Sequence, residues 1–170
     1  GCNPFVSARG DTGRVNTIGD IPAHPFFVHF IVVLAPLTAI LLVLCAVWPA
    51  ARERLVWLVL ALSVVVTVLT PLATEAGEWL EHQEKQKGAI SPILHQHTEA
   101  GDTMIYGAVG LLVVSLAVVA LHLRGERLAA RRKVVTIVVA VLAVVIGVST
   151  IVQVVRIGDT GAHAVWGGGS

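Results

Sequence analysis

Four long apolar runs alternate with short polar segments along the chain. They cover residues 26–48, 55–73, 104–123 and 134–155. Each is close to the roughly 20 residues that an α-helix needs to cross about 30 Å of hydrocarbon. None contains Asp, Glu, Lys or Arg, which are costly at the bilayer centre. The pattern predicts an all-α integral membrane protein, a four-helix bundle whose first partner is the lipid bilayer.

The composition supports the membrane class and argues against several classes of function. Only 14% of the 170 residues are charged, against about 25% in an average soluble domain. The sequence has no basic stripe interleaved with aromatic residues, so it carries no nucleic-acid signature. It also lacks a phosphate-binding loop, a zinc-protease motif and a nucleophile in register with a base. Enzymatic turnover is therefore not indicated, although a metal site could still be catalytic.

The spans divide the chain into three parts. Residues 24–157 form the predicted transmembrane domain, preceded by an extracytoplasmic N-terminal tail at 1–23. Residues 158–170 form a Gly-rich C-terminal tail that we expect to be loose. Its last four residues, Gly-Gly-Gly-Ser at 167–170, resemble an artificial linker and are left out of the argument.

Charge separates the two ends of the predicted bundle. The segments around 48–55 and 124–133 hold seven basic and two acidic residues, a net charge of +5. The other side, with both termini and residues 74–103, holds five basic and nine acidic residues, a net charge of −4. Bases in short loops favour the cytoplasmic side. We therefore expect both termini to be extracytoplasmic.

Histidines follow the acids. Six of the seven lie on the acidic side, and only His122 lies on the basic side. The six are His24, His29, His82, His95, His97 and His163. Histidine is the commonest metal ligand and titrates near neutral pH, and ionisable groups at membrane depth are functional candidates.

The second and third helices are predicted to continue past the membrane as an extracytoplasmic helical hairpin. The ascending arm carries Glu75, Glu78 and His82, which at spacings i, i+3 and i+7 share one helix face. The chain turns near Gly88, and Ser91 is a suitable N-cap for the descending arm.

The descending arm repeats this pattern in mirror image. His95, Glu99 and Asp102 share a face and lie as far after the turn as His82, Glu78 and Glu75 lie before it. Facing helices that supply imidazole and carboxylate ligands are how metal sites are built in bundles, and such mixed ligands suit Fe, Cu or Zn. His24, at the membrane edge, could complete the set. The alternative is an ordinary solvated face, with Leu72, Ala76, Trp79 and Leu80 as the buried stripe.

Three other functions remain open. A b-type haem needs two axial histidines at one height, with His29 and His97 as candidates. Straight helices put His29 about 4 Å inside the apolar edge and His97 about 10 Å outside it, which disfavours the pair. Proton relay or transport is disfavoured because the polar cluster lies on one side only and the rest of the path is apolar, with Thr67, Ser115, Thr136 and Gln153 as sparse polar positions. The third alternative is an accessory subunit of a redox or other membrane complex, with no site of its own.

The motif His-Pro-Phe-Phe-Val-His-Phe occupies residues 24–30, and further motifs lie at 74–78, 95–102 and 158–163. Together they resemble a bacterial membrane protein family, domain of unknown function 2231, with the strongest likeness at 24–30. The resemblance covers roughly residues 21–166. It implies a four-helix fold in the bacterial cytoplasmic membrane and supplies no activity, so the site argument depends on the residues themselves.

Overall fold

Four long helices make up most of the part of the chain that the structure describes. The computed structural model describes residues 17–18, 21–86, 101–124 and 131–166. A two-residue antiparallel pair, β1 (Thr17–Ile18) with β2 (Ile21–Pro22), precedes the helices. The helices are α1 (Ala23–Val47), α2 (Pro49–Gln86), α3 (Met104–Arg124) and α4 (Arg132–Trp166).

All four helices are long and apolar enough to cross a membrane. The spanning segments are Phe26–Val47, Pro49–Trp79, Met104–Arg124 and Lys133–Asp159. Large apolar side chains face outward on every helix, for example Val33 at 64%, Val113 at 58% and Val155 at 64% exposure. A soluble protein rarely exposes so much contiguous apolar surface, whereas a bilayer covers it. The predicted all-α, four-span membrane class is confirmed.

The helices form an antiparallel ring in chain order. α1 packs against α2 and α4, and α3 packs against the same two neighbours. The α3–α4 contact runs antiparallel: Gly107 faces Thr150, and Gly110, one turn on, faces Ile146, one turn back. The amino ends of α1 and α3 therefore share one end of the bundle with the carboxyl ends of α2 and α4. We call it the acidic end, and the opposite one the basic end.

A single residue joins α1 to α2 at the basic end. Trp48 is not helical, because a proline disfavours helical geometry in the residue before it. The fixed φ of Pro49 in turn suits the first position of α2. The buried Arg52 then folds back over the end of α1. Its Nε donates a hydrogen bond to the Cys45 carbonyl at 2.9 Å, and one terminal nitrogen donates to the Ala46 carbonyl at 2.8 Å. These carbonyls lack helical donors, so Arg52 caps the helix.

Two apolar clusters fill the bundle interior. The larger, around Leu42, Val59 and Leu111, lies toward the basic end, and the smaller, around Ala35 and Val66, lies toward the acidic end. Five hydroxyls are also buried in the interior, and each donates to a carbonyl three or four residues earlier in its own helix. They belong to Thr38, Ser63, Thr70, Ser115 and Thr150. This bonding satisfies them locally, as a hydrocarbon environment requires.

Glycines let α4 approach its two neighbours closely. A Cβ placed on Gly147 would lie 3.3 Å from a Val43 methyl and 3.5 Å from the Ala39 carbonyl oxygen of α1. A Cβ on Gly110 would lie 3.0 Å from an Ile146 methyl. Small residues are typical of helix contacts in membranes, where close packing replaces the hydrophobic drive.

The helices extend beyond the spans only partly as predicted. α2 continues unbroken to Gln86, past the end of its span at Trp79, as the ascending arm requires. The descending arm falls mostly on residues 87–100, which lie outside the described residues. The expected loose tail is wrong through Trp166, because α4 continues to that residue.

Candidate functional site

A cleft lies among all four helices at the acidic end. It has a volume of about 60 Å³. Its lining combines an apolar wall with a few small or polar residues: Val28, Ile31, Val32, Thr70, Ala73, Thr74, Gly77, Gly101, Asp102, Met104, Val154 and Ile157. It sits directly against the smaller apolar cluster, which contributes Ile31, Ala73, Met104 and Val154. Among the described residues of this lining, Asp102 is the one that is ionisable.

The cleft lies close to the ends of three of the candidate membrane spans. Val28 and Ile157 lie two residues inside the ends of their spans, and Asp102 lies two residues before the span that begins at Met104. At roughly 1.5 Å per residue, Asp102 is about 3 Å beyond that edge. The cleft thus reaches from apolar side chains within the candidate spans of α1 and α4 to a carboxylate just before the candidate span of α3.

One side-chain contact fixes the register between α2 and α3. The Thr67 hydroxyl contacts the Ala108 carbonyl oxygen at 3.2 Å, which aligns the two helices at that height. Six residues outward from this contact along each chain segment, Ala73 of α2 is level with Asp102. Thr74, Gly77 and Asp102 accordingly line the same cleft.

The metal ligands predicted on the hairpin lie in two different places. Glu75, Glu78 and His82 are exposed and do not line the cleft, whereas Asp102 does. The buried side of α2 at this height carries Ala73, Ala76 and Gly77, and Leu72 and Trp79 are half-buried. This division agrees with the alternative of a solvated face. Glu99 and His95, the partners predicted for Glu78 and His82, lie outside the described residues.

Three further histidines lie on helices at the acidic end. His24 lies in the first turn of α1, and His29 lies one turn further on, with an exposed side chain. His163 lies within the continued α4. His97, the second predicted haem ligand, falls outside the described residues, so the haem pairing stays a prediction. Among residues 17–18, 21–86, 101–124 and 131–166, no group of three or more His, Cys, Asp or Glu could hold a metal ion.

Sequence reasoning missed the small and hydroxyl-bearing part of the cleft. This part of the cleft is lined by Thr70, Thr74 and Gly77 of α2 and by Gly101, which lies just before α3. The available signal was a set of threonines and glycines at the ends of apolar runs. That signal is weak, because such residues also serve ordinary helix packing.

Gln153 ties α4 to the start of α3 beside this cleft. Its side-chain nitrogen donates to the Thr103 carbonyl oxygen at 3.1 Å and lies 3.3 Å from the Thr103 hydroxyl oxygen. Thr103 directly follows Asp102, so this bond helps to hold the cleft's acidic margin. The sequence alone placed Gln153 only among polar interruptions of the spans.

Replacing Gln153 with leucine is expected to lower the free energy of unfolding by about 1 kcal/mol, the usual size of a hydrogen bond between membrane helices. Reversible unfolding in mixed detergent micelles would measure the change. Val155→Leu, at a lipid-facing position with 64% exposure, is the control and should change little. Equal stability of Gln153→Leu and the native chain would show that the bond contributes nothing.

The fold and its polar end define a multi-pass membrane protein with four spans and a small cleft at one membrane border. Residues 20–170 match the sequence profile of a family described as "Predicted membrane protein (DUF2231)". The chain therefore belongs to this family, and the predicted resemblance is confirmed. Comparisons with curated proteins and with solved structures give no match.

Proposed function

We propose that the acidic end of the bundle binds a transition metal ion at its extracytoplasmic face, through histidine and carboxylate ligands. The observation that carries the proposal is the pair Glu78 and His82 on α2. They lie four residues apart on one continuous helix, and both side chains are exposed. Two ligands at this spacing project from the same face and can reach one ion together.

The neighbouring charges favour a cation at this place. Glu75 is exposed one turn before Glu78, and the whole acidic side carries a net charge of −4. A local excess of carboxylates raises the concentration of cations near the surface. The mixed imidazole and carboxylate set suits Zn, Fe or Cu better than a soft thiolate site would. His95 and Glu99 are the residues we expect to complete the coordination from the returning segment.

The test is the metal content of the detergent-purified protein, expressed with added Fe, Cu and Zn and counted per chain by elemental analysis. The native chain should carry a stoichiometric ion. Loss of a residue that only hydrogen-bonds a metal ligand already lowers metal affinity about 10–100-fold, so Glu78→Ala and His82→Ala should lower it at least as much.

Matched controls exist at the basic end. Glu53 is an exposed carboxylate on the same helix, and His122 is a half-buried histidine at the end of α3. Glu53→Ala and His122→Ala should keep the metal. Unchanged metal content in Glu78→Ala and His82→Ala would overturn the site, and a native chain without metal after supplementation would favour an accessory subunit.

The same sample distinguishes the haem alternative. Iron accompanied by a haem absorption spectrum, lost in His29→Ala and kept in His82→Ala, would replace the ion site by a haem with His29 as an axial ligand. Iron without that spectrum would support the ion site.

A further inference from the structure

We propose that the cleft at the acidic end binds a phospholipid with an ammonium headgroup, such as phosphatidylethanolamine. The ammonium lies against Asp102, and part of one acyl chain lies along the apolar wall. The proposal goes beyond metal binding and uses a different part of the acidic end, because Glu78 and His82 do not line the cleft.

The cleft's wall has the chemistry of an acyl-chain contact. Val28, Ile31 and Val32 come from α1, and Val154 and Ile157 come from α4. A volume of about 60 Å³ is less than half that of a cavity that holds benzene, so the cleft accommodates a short stretch of chain and not a whole ligand. An unfilled apolar void forfeits dispersion contacts on one side, and a chain segment restores them.

The two margins of the cleft differ in the way an amphiphile requires. Val32 is 38% exposed on the apolar margin, at a position within the α1 span, so the cleft is open to the hydrocarbon there. Asp102 is exposed on the other margin, about 3 Å beyond the span edge by helix rise. A lipid that enters between the helices thus places its headgroup at the height of this carboxylate.

Charge selects the headgroup. Asp102 is the ionisable residue among the described lining residues, and Glu75 and Glu78, exposed on α2 at the same end of the bundle, add negative charge. A primary ammonium can donate hydrogen bonds to a carboxylate and is attracted to it, whereas the net negative headgroup of phosphatidylglycerol is repelled. Thr70 and Thr74 add hydroxyls to the lining below the headgroup.

The chain supplies its own matched control. The tripeptide Gly-Asp-Thr occurs at 101–103, where Gly101 and Asp102 line the cleft, and again at 158–160, where Gly158 and Asp159 do not. A Cβ on either glycine meets no atom within 4 Å, so both tolerate a side chain at the backbone. Substitutions at 158 and 159 therefore make the same changes of side chain as those at 101 and 102, but at residues that do not line the cleft.

Native mass spectrometry of the purified full chain, titrated with phosphatidylethanolamine or phosphatidylglycerol of identical acyl chains, tests the proposal. Phosphatidylethanolamine should bind more tightly. Asp102→Asn should weaken it about fivefold, the upper range for one exposed ion pair, and remove its advantage over phosphatidylglycerol. Gly101→Leu should weaken both lipids by filling the cleft. Asp159→Asn and Gly158→Leu should behave like the native chain.

Three results would overturn the proposal: equal binding of the two lipids by the native chain, an unchanged preference in Asp102→Asn, or the same loss in Asp159→Asn. Tight binding of a soluble alkylammonium without binding of phosphatidylethanolamine would move the site from a lipid to a free amine. Asp102→Asn preserves shape and needs no space, so the test remains decisive even if Gly101→Leu fails to fold.

Discussion

Replacing Gly147 with leucine is expected to lower the free energy of unfolding by about 3 kcal/mol, the upper range for overpacking a filled interior. At this position α4 lies against α1, where even a Cβ would be 3.3 Å from Val43 and 3.5 Å from the Ala39 carbonyl oxygen. A backbone carbonyl cannot rotate away as a side chain can. The three further carbons of leucine therefore have no free space unless the helices separate. Reversible unfolding in mixed detergent micelles would measure the loss.

Two companion substitutions separate crowding from the loss of a glycine. Gly147→Ala adds only the Cβ, whose tight contacts are partly offset by alanine's better helix propensity, so its effect should stay within about 1 kcal/mol. Gly158→Leu places the same large side chain where no atom lies within 4 Å and should also be nearly neutral. A similar loss at both glycines would contradict a specific α1–α4 contact.

Removing the Arg52 side chain is expected to cost about 3 kcal/mol, because hydrogen bonds from charged donors contribute about 1.5–3 kcal/mol each. Arg52→Ala would leave the Cys45 and Ala46 carbonyls without the donors that now lie 2.9 Å and 2.8 Å away. It would also remove a side chain that is only 5% exposed. The same unfolding measurement applies, and Arg52→Lys should recover part of the loss with one donor group instead of a fork.

Arg54 provides the control, since it lies in the same turn and is exposed. Arg54→Ala should change the free energy of unfolding by less than about 0.5 kcal/mol, as usual for surface positions. Both substitutions remove one positive charge from the basic end. If they cost the same, the effect of Arg52 would be one of net charge and its cap would be unimportant.

The four spans could be predicted from the sequence because the signal is local. A helix needs about 20 apolar residues to cross the hydrocarbon, and its backbone hydrogen bonds must be made within the helix. Each span can therefore be recognised from its own residues alone. The predicted turn at 48–55 is shorter in the structure, where Trp48 alone separates the two helices, because Pro49 limits the residue before it and suits the first position of α2. The extension of α2 to Gln86 also followed from a helical pattern that continues past the membrane.

The candidate site was less accessible. Spacing placed Glu75, Glu78 and His82 correctly on one face of α2, but spacing cannot say whether that face meets another helix or solvent. The structure exposes all three. It assigns Asp102, their predicted companion, to a cleft most of whose other lining residues come from α1, α2 and α4, far from Asp102 in the chain.

The sequence by itself determined the membrane class, the number of spans and the gathering of acids and histidines at one end, since each depends on residues close together along the chain. Only the tertiary structure decided which residues of that end share a cleft. It also showed that Arg52, which the sequence places among the bases of a loop segment, is buried and caps α1. Both depend on rotation and close approach of helices, which Gly107, Gly110 and Gly147 permit through contacts as much as 108 residues apart along the chain, as between Gly147 and Ala39.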